Sequence, residues 1–343
     1  WAYTRKPPRI RFSVIDIDHS HIYGMVETVI KGGGELVSVY AKDPEQIAAF
    51  SKKYPQAKQA RTYKEILEDH SIQLVLSSGI PVERAPLGIE VMQHGKDFLV
   101  DKPGITTLDQ LTKVRRVQKE THRSYTIFIE RLESRTIPKA GALIKAGAIG
   151  RVIQTIGLGP HRINPQTRPA WFFDKKYFGR IITDLASHQF DQFIYFTGST
   201  EVEIVAAQAG NLNHPQYPAF EDFGDVMLKG DKGTGYLRVD WFSPDGLKSF
   251  GDGRQTILGT EGYIELRKTV DLSGRQGGDH LFLVNQKENL YIDCSKEPLL
   301  FSERFVNDIL NRTETAIKQE EVFLAAELGL KAQAKATELK LKG

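Results

Sequence analysis

The chain holds one cysteine, Cys294, among 343 residues, which excludes an intramolecular disulfide and a metal site built from thiolates. No run of about 18 apolar residues occurs, so no membrane span is expected. Neither sign of charge is in surplus: 46 Lys and Arg against 43 Asp and Glu leave +3, and the basic residues are scattered. Neither nucleic acid nor a membrane surface is therefore an expected partner. Internal repeats, low-complexity tracts and long linkers are missing as well. A cytoplasmic protein is expected; because the chain starts at Trp1 rather than Met, a periplasmic one after removal of a signal peptide stays open.

Residues 10–128 alternate short apolar runs with helical stretches. Strands are expected at 10–17, 35–40, 72–77, 98–100 and 124–129, and helices at 20–31, from Pro44, 63–68, 86–94 and 108–120. Asp43-Pro44 supplies an N-cap and a first-position proline, and Gly95 a C-terminal stop. Such alternation implies a doubly wound parallel sheet of the Rossmann type. After residue 129 the texture changes. A helix over 130–146 is followed by consecutive strands at 152–158, 202–208, 225–228, 235–242, 256–259, 263–266 and 280–283, joined through turn signals such as Asp245-Gly246 and Glu261-Gly262. This predicts an α+β domain with a large open antiparallel sheet, closed by helices over 303–312 and 320–339. The expected domains are 1–128 for dinucleotide binding and 129–343 for substrate binding and oligomerisation.

The missing feature that matters most is local. A dinucleotide fold carries G-x-G-x-x-G after its first strand, so that backbone can approach the pyrophosphate. Here Asp16, Asp18 and His21 stand at the three glycine positions, within Asp16-Ile17-Asp18-His19-Ser20-His21. Their side chains crowd the approach, and two carboxylates face an anionic ligand, which predicts weakened or remodelled cofactor binding. Asp18 could instead cap the following helix. Two Asp and two His within six residues also invite a metal, but strand alternation would spread them over different faces, so none is expected. At the end of the second strand Ala41 leaves room and Lys42 could meet a 2′-phosphate, which tilts NAD or NADP toward NADP; Lys42 could equally be an ordinary surface lysine.

Two stretches carry chemistry. Asp101-Lys102-Pro103 ends the buried run Phe98-Leu99-Val100, and Pro103 biases Lys102 away from helical geometry. That holds a lysine at the carboxyl edge of a sheet, beside Ser77, where open α/β folds bind ligands; a solvated turn lysine is the plainer reading. The second stretch runs from Gly179 to Gln192. On one helix Asp184, His188 and Asp191 would share a face, a polar stripe on an otherwise apolar helix, and a histidine beside carboxylates can keep the tautomer that a general base needs.

Asp101-Lys102-Pro103 resembles the E-K-P motif, with Asp for Glu, and Asp184-x-x-x-His188 resembles the D-x-x-x-H motif of the Gfo/Idh/MocA family (glucose–fructose oxidoreductase, inositol dehydrogenase, rhizopine catabolism). Ala146-Gly147-Ala148-Ile149-Gly150 and Gly259-Thr260-Glu261-Gly262 are also similar to its pattern, so the likeness covers nearly the whole chain. The resemblance implies an NAD(P)-dependent oxidoreductase acting on a sugar, glycoside or cyclitol. It implies that Lys102 and His188 meet beside the nicotinamide, Lys102 stabilising an alkoxide and His188 accepting the hydroxyl proton, with Asp184 orienting His188 or binding a neighbouring hydroxyl. The cofactor edge would comprise Asp16, Asp18, His19, Ser20, His21, Lys42, Ser77, Asp101 and Lys102. Arg131 stands where relatives place a polar residue facing the cleft. Residues 157–178 mix donors, acceptors and aromatic faces as sugar sites do, so His161, Arg162 and Trp171 join Arg131, Asp184 and His188 as candidate substrate contacts. A redox-assisted lyase or glycosidase with retained cofactor, and a non-redox sugar sensor that has lost its nucleotide, are the alternatives. Leu237, Val239 and Trp241 are expected on an outward apolar sheet face, and with the resemblance they point to a homodimer or homotetramer.

Overall fold

The computed structural model describes residues 9–340; Trp1, on which the expectation of a removed leader rests, lies outside them. Among the described residues no helix is long and apolar enough to cross a membrane. The chain divides into two compact units. The first takes the described residues through Ile105 with Asp109–Phe128 and Leu300–Val322; the second takes Thr106–Leu108, Ile129–Leu299 and the described residues from Phe323 onward.

The first unit runs β1 (Ile10–Ile15), α1 (His21–Lys31), β2 (Gly34–Tyr40), α2 (Pro44–Lys53), β3 (Lys58–Gln59), α3 (Tyr63–Glu68), β4 (Leu74–Ser77), α4 (Pro81–Gln93), β5 (Asp97–Asp101), α5 (Leu108–Thr121) and β6 (Tyr125–Phe128). The six strands are parallel in the order β3-β2-β1-β4-β5-β6, so strand order reverses between β1 and β4, where such sheets bind ligands. All five residues of β5 are buried, which places Lys102 directly past a fully enclosed strand. The Asp43 carboxylate accepts the Glu45 N–H at 2.8 Å and starts α2 as the sequence suggests. Helix α4 begins at Pro81, one turn before the expected start. Pro86 has no N–H for the Val82 carbonyl, and the Gln110 amide donates to that carbonyl at 3.0 Å instead, so the proline sits inside the helix without leaving an orphan.

The second unit carries α6 (Glu130–Glu133), α7 (Thr136–Lys145), β7 (Val152–Pro160), α8 (Lys175–Phe178), α9 (Ile181–Leu185), α10 (Ser187–Thr197), β8 (Val202–Gly210), β9 (Phe223–Gly230), β10 (Thr234–Asp240), β11 (Arg254–Gly259), β12 (Gly262–Arg267), β13 (His280–Asn285) and β14 (Asn289–Asp293). Helix α11 (Phe301–Asn311), α12 (Gln319–Lys335) and β15 (Thr337–Glu338) follow. The nine strands form one sheet, ordered β14-β13-β12-β11-β7-β10-β9-β8-β15. It is mixed rather than wholly antiparallel, because β7 pairs β10 in parallel and β15 pairs β8 in parallel. Helix α10 lies so close to β7 that a Cβ on Gly157 would meet Gln189 Cγ at 2.8 Å.

Leu237, Val239 and Trp241 are buried at 2%, 0% and 3% exposure and belong to the core with Phe190, Phe193 and Phe220, so they do not face outward. The alternation holds but the faces are exchanged: it is the other set of positions, with Ile156, Met227, Leu258 and Tyr263 among the exposed large side chains, that looks away from that core. Helix α11 returns to the first unit, where it packs on α1. There Arg312 makes a bidentate pair with the fully buried Asp97, both bonds at 2.8 Å, at the amino end of β5.

Candidate functional site

At the end of β1 Asp16 takes φ 58°, a left-handed conformation that glycine adopts without cost and aspartate tolerates better than most residues. Its N–H reaches the Tyr40 carbonyl at 2.8 Å and its own carbonyl accepts from Ser78 N–H at 3.1 Å, so the backbone on both sides holds it there. Carboxylate oxygen Oδ1 is buried with no hydrogen-bond partner. Burial raises the Asp16 carboxyl to about 6; Lys42 opposes the shift, while Asp18 and Glu83 add to it. Asp18 is raised as well, chiefly by burial, with a Gln46 hydrogen bond pulling the other way. No side chain caps α1 at its N-cap Ser20, so the reading of Asp18 as that cap falls away; the Ile22 and Tyr23 N–H groups turn instead to the carbonyls of His19 and Ser20, at 3.3 and 3.2 Å. Lys42 donates to Glu83 at 2.8 Å, so any 2′-phosphate would compete with a carboxylate for it.

The sign of the Asp16 shift gives a test. A carboxyl with a folded pKa near 6 against an ordinary 3.8 binds its proton more tightly in the folded state, so folding loses stability as pH rises through that window. Asp16→Asn keeps a residue suited to the left-handed backbone and removes the charge. Relative to this variant, the native chain should weaken between about pH 4 and 6 by on the order of 2–3 kcal/mol, at about 1.4 kcal/mol per unit. Thermal melts across pH read this directly; parallel curves for the two proteins would mean that Asp16 does not titrate there. At pH 8 the same substitution, with or without Asp18→Asn, should tighten NADH binding.

Asp101 closes β5 with its side chain 1% exposed, between His19, His21 and Arg84. Arg84 is itself 2% exposed on α4; its Nε donates to Gly79 O at 2.7 Å and its Nη1 to the carbonyls of Asp101, Lys102 and Pro103 at 3.0, 2.6 and 3.1 Å. This arginine fixes the turn that presents Lys102, 8% exposed, and nothing in Pro81-Val82-Glu83-Arg84 distinguishes it from a surface residue in sequence. Ser77, fully buried, turns its hydroxyl to the Gly79 N–H at 3.2 Å. His19 and His21 do not diverge as strand alternation suggested: residues 16–20 form a turn, and both rings converge on Asp101.

In the second unit the expected single helix breaks at Ala186, so Asp184 belongs to α9 while His188 and Asp191 belong to α10. Hydrogen bonds still run through Ala186, from its N–H to Ile182 O at 3.2 Å and from the Phe190 N–H to its carbonyl at 2.9 Å. His188 Nδ1 accepts the Glu130 N–H at 3.0 Å, which in the neutral ring leaves the hydrogen on Nε2. In that tautomer Nε2 is a donor, and service as the expected general base would need the Glu130 N–H to release Nδ1. Both Asp191 oxygens accept from Arg131, at 2.8 and 2.6 Å, and Arg131 lies 4.6 Å from the Tyr195 ring centre.

Of the loop candidates, Arg162 holds the carbonyls of Pro244 and Leu247 and braces the following loop. His161 donates from Nδ1 to Gly159 O at 2.9 Å, which leaves Nε2 of the neutral ring as an acceptor, and its ring packs against Trp241 and Phe250. Trp171 is half-buried at the edge of the core. Arg168, not selected from the sequence, lies over Phe172 at 4.4 Å and Trp241 at 5.3 Å while its Nε donates to Ile163 O. Burial lowers its pKa, and the Asp184 carboxylate opposes that shift. A half-buried arginine on aromatic faces near a carboxylate can fix a polyol by directed donors, and its only sequence signal is its place before Pro169-Ala170-Trp171-Phe172.

Residues 19–128 match the family model described as "Oxidoreductase family, NAD-binding Rossmann fold", and residues 137–265 match that of the GFO/IDH/MocA C-terminal domain. The chain is 29% identical over 206 residues to scyllo-inositol 2-dehydrogenase (NAD(+)) of Bacillus subtilis strain 168, a match covering 58% of this chain and 56% of that protein, so the chain spans little more than half of its length. A crystal structure from Erwinia carotovora atroseptica SCRI1043, provisionally assigned as an oxidoreductase, is 43% identical, with TM-score 0.94 over 96% of this chain and 100% of that one. Levoglucosan dehydrogenase, solved with NADH and levoglucosan, shares the fold at 15% identity, TM-score 0.77, over 95% and 97% of the two chains.

Proposed function

The chain belongs to the Gfo/Idh/MocA oxidoreductase family, and on that premise we propose that it interconverts a hydroxyl and a carbonyl on a sugar, glycoside or cyclitol with NAD or NADP. The observation that carries this reading is Lys102, nearly buried and braced through its own carbonyl by Arg84 at the carboxyl edge of a Rossmann sheet. The edge fits a dinucleotide in shape: Asp16 has the left-handed backbone of a glycine turn, α1 lacks a side-chain cap, and strand order reverses beside it. It opposes one in charge, through Asp16 and Asp18, so binding weaker than in glycine-rich relatives is expected. A bound nicotinamide supplies or takes up the hydride at the carbon bearing the reacting oxygen.

In the reducing direction the Lys102 ammonium gives its proton to the carbonyl oxygen as negative charge develops there. Where His188 meets the same oxygen, as the family resemblance implies, its Nε2–H would donate to it, the ring held by the Glu130 N–H. In the oxidising direction Lys102 takes that proton back. Asp184 and His161 Nε2 accept from neighbouring hydroxyls, and Arg168 donates to them. Sugars and cyclitols suit this set because they present several hydroxyls on an apolar ring, and scyllo-inositol and levoglucosan, named for two similar proteins, are first choices for assay. The test is nucleotide content of the purified protein by mass spectrometry, followed by NAD(P)H absorbance with a panel of polyols and keto-sugars. Absence of both bound and titratable nucleotide would overturn the reading.

The outward sheet face with Ile156, Met227, Leu258 and Tyr263 suits pairing with a second copy. Light scattering at micromolar concentration should give a dimer or tetramer, and Met227→Lys should weaken it; a monomer would reject the assignment.

A further inference from the structure

The turn after β1 and the end of β5 bring two imidazoles and a carboxylate to one point. His19 Nδ1 lies 3.0 Å from Asp101 Oδ2 and His21 Nδ1 2.9 Å from Asp101 Oδ1. The two rings meet edge to face at 4.1 Å, and one ligand-type atom from each of the three residues lies within 4.8 Å of the others. His21 satisfies Oδ1 with a hydrogen bond, but His19 Nδ1 is buried and makes none: it is close to Oδ2 without the alignment a bond requires. A buried nitrogen left so near a carboxylate is an atom with a lone pair or a proton and no proper partner, and such atoms are uncommon in folded proteins.

The chemistry of the three groups agrees on what would complete them. Two imidazole nitrogens and one carboxylate oxygen are the donor set of borderline divalent transition metals held with open positions, whereas Mg2+ and Ca2+ prefer all-oxygen surroundings. Donors at about 2.0–2.1 Å from a tetrahedral ion stand about 3.3 Å apart; the two histidine–carboxylate spacings are near this, and the set as a whole, within 4.8 Å, would close by rotation of the rings through up to about 1.5 Å. Arg84 bonds Oδ2 at 3.3 Å and the Asp101 carbonyl at 3.0 Å, which orients the carboxylate from behind as outer partners of metal ligands do. Its charge also opposes a cation, though four hydrogen bonds to the carbonyls of Gly79, Asp101, Lys102 and Pro103 already engage it.

We propose that His19, His21 and Asp101 form a binding site for one divalent transition-metal ion of the Zn2+ and Co2+ class, with at least one position open to water or a ligand oxygen. The site does not depend on the redox reading above, since it is tested by metal alone. Full-length protein, stripped with a chelator and dialysed, would be titrated with Zn2+ by calorimetry and with Co2+ by visible absorption. One equivalent per chain should bind at micromolar affinity or better, with a Co2+ d–d band typical of nitrogen and oxygen donors. His19→Ala and His21→Ala should each weaken binding by at least roughly 100-fold, more than loss of an outer partner costs. His21 is 43% exposed, so its variant should fold, and Zn2+ should raise the melting temperature of the native chain but not of that variant. His94→Ala, at the far end of α4, should bind as the native chain does. No saturable uptake of either ion, or uptake that survives both His19→Ala and His21→Ala, would overturn the proposal.

Discussion

Lys102→Ala is expected to lower turnover roughly 100- to 10,000-fold, the usual worth of a positioned proton donor. The lysine is 8% exposed, so Lys102→Met, which keeps the length of the stem, guards against a loss that comes from packing alone. Lys102→Arg should rescue little, because a guanidinium fork cannot take the place of a compact ammonium and does not give up its proton. Substrate affinity should survive better than turnover, since the interaction grows as charge develops on oxygen. His188→Ala should cost less, roughly 100- to 1,000-fold, as loss of one donor to that oxygen. The two roles separate in the pH–rate profile. With the proton on Lys102, the His188 variant keeps the native limb at lower height. If the limb disappears with His188, the imidazole is the base, and the Glu130 N–H must release Nδ1 during turnover. Full activity per folded molecule in Lys102→Met would end the proposal.

Arg131→Ala is expected to destabilise the protein by about 3–5 kcal/mol, because it leaves the Asp191 carboxylate, 1% exposed, buried without its partner. Loss of the stack on Tyr195 adds to this. The paired change Arg131→Met with Asp191→Leu should recover most of the loss, since replacing a buried ion pair by packed apolar groups is often neutral. Denaturant unfolding measures both. A substrate-binding arginine behaves differently: the single variant would keep its unfolding midpoint and show a raised KM, and that result would return Arg131 to the substrate site.

The two predictions differ in how they could be reached. Lys102 was legible because Phe98-Leu99-Val100 is a short apolar run and Pro103 punctuates it; local sequence carries both signals. The cap at Asp43-Pro44 was legible for the same reason. Arg131 with Asp191 was not, since the partners stand 60 residues apart and only the fold joins them. The break at Ala186 escaped because alanine favours helix and no proline or glycine marks the turn. The face of β10 was read one residue out of phase because alternation fixes which residues share a side, not which side is covered. His19 and His21 were separated by a strand period applied to residues that form a turn. Arg84 offers no signal at all, because its role lies in four backbone carbonyls on other segments.

The return of residues 300–322 to the first unit bears on how the chain is made. Synthesis proceeds from the N-terminus, and domains tend to fold as they emerge. Here the six strands of the first sheet leave the ribosome long before Arg312 does. Until then Asp97, buried in the finished protein, has no guanidinium beside it, and α1 lacks the helix that covers it. The first unit therefore lacks these partners until residues 129–299 of the second have been translated.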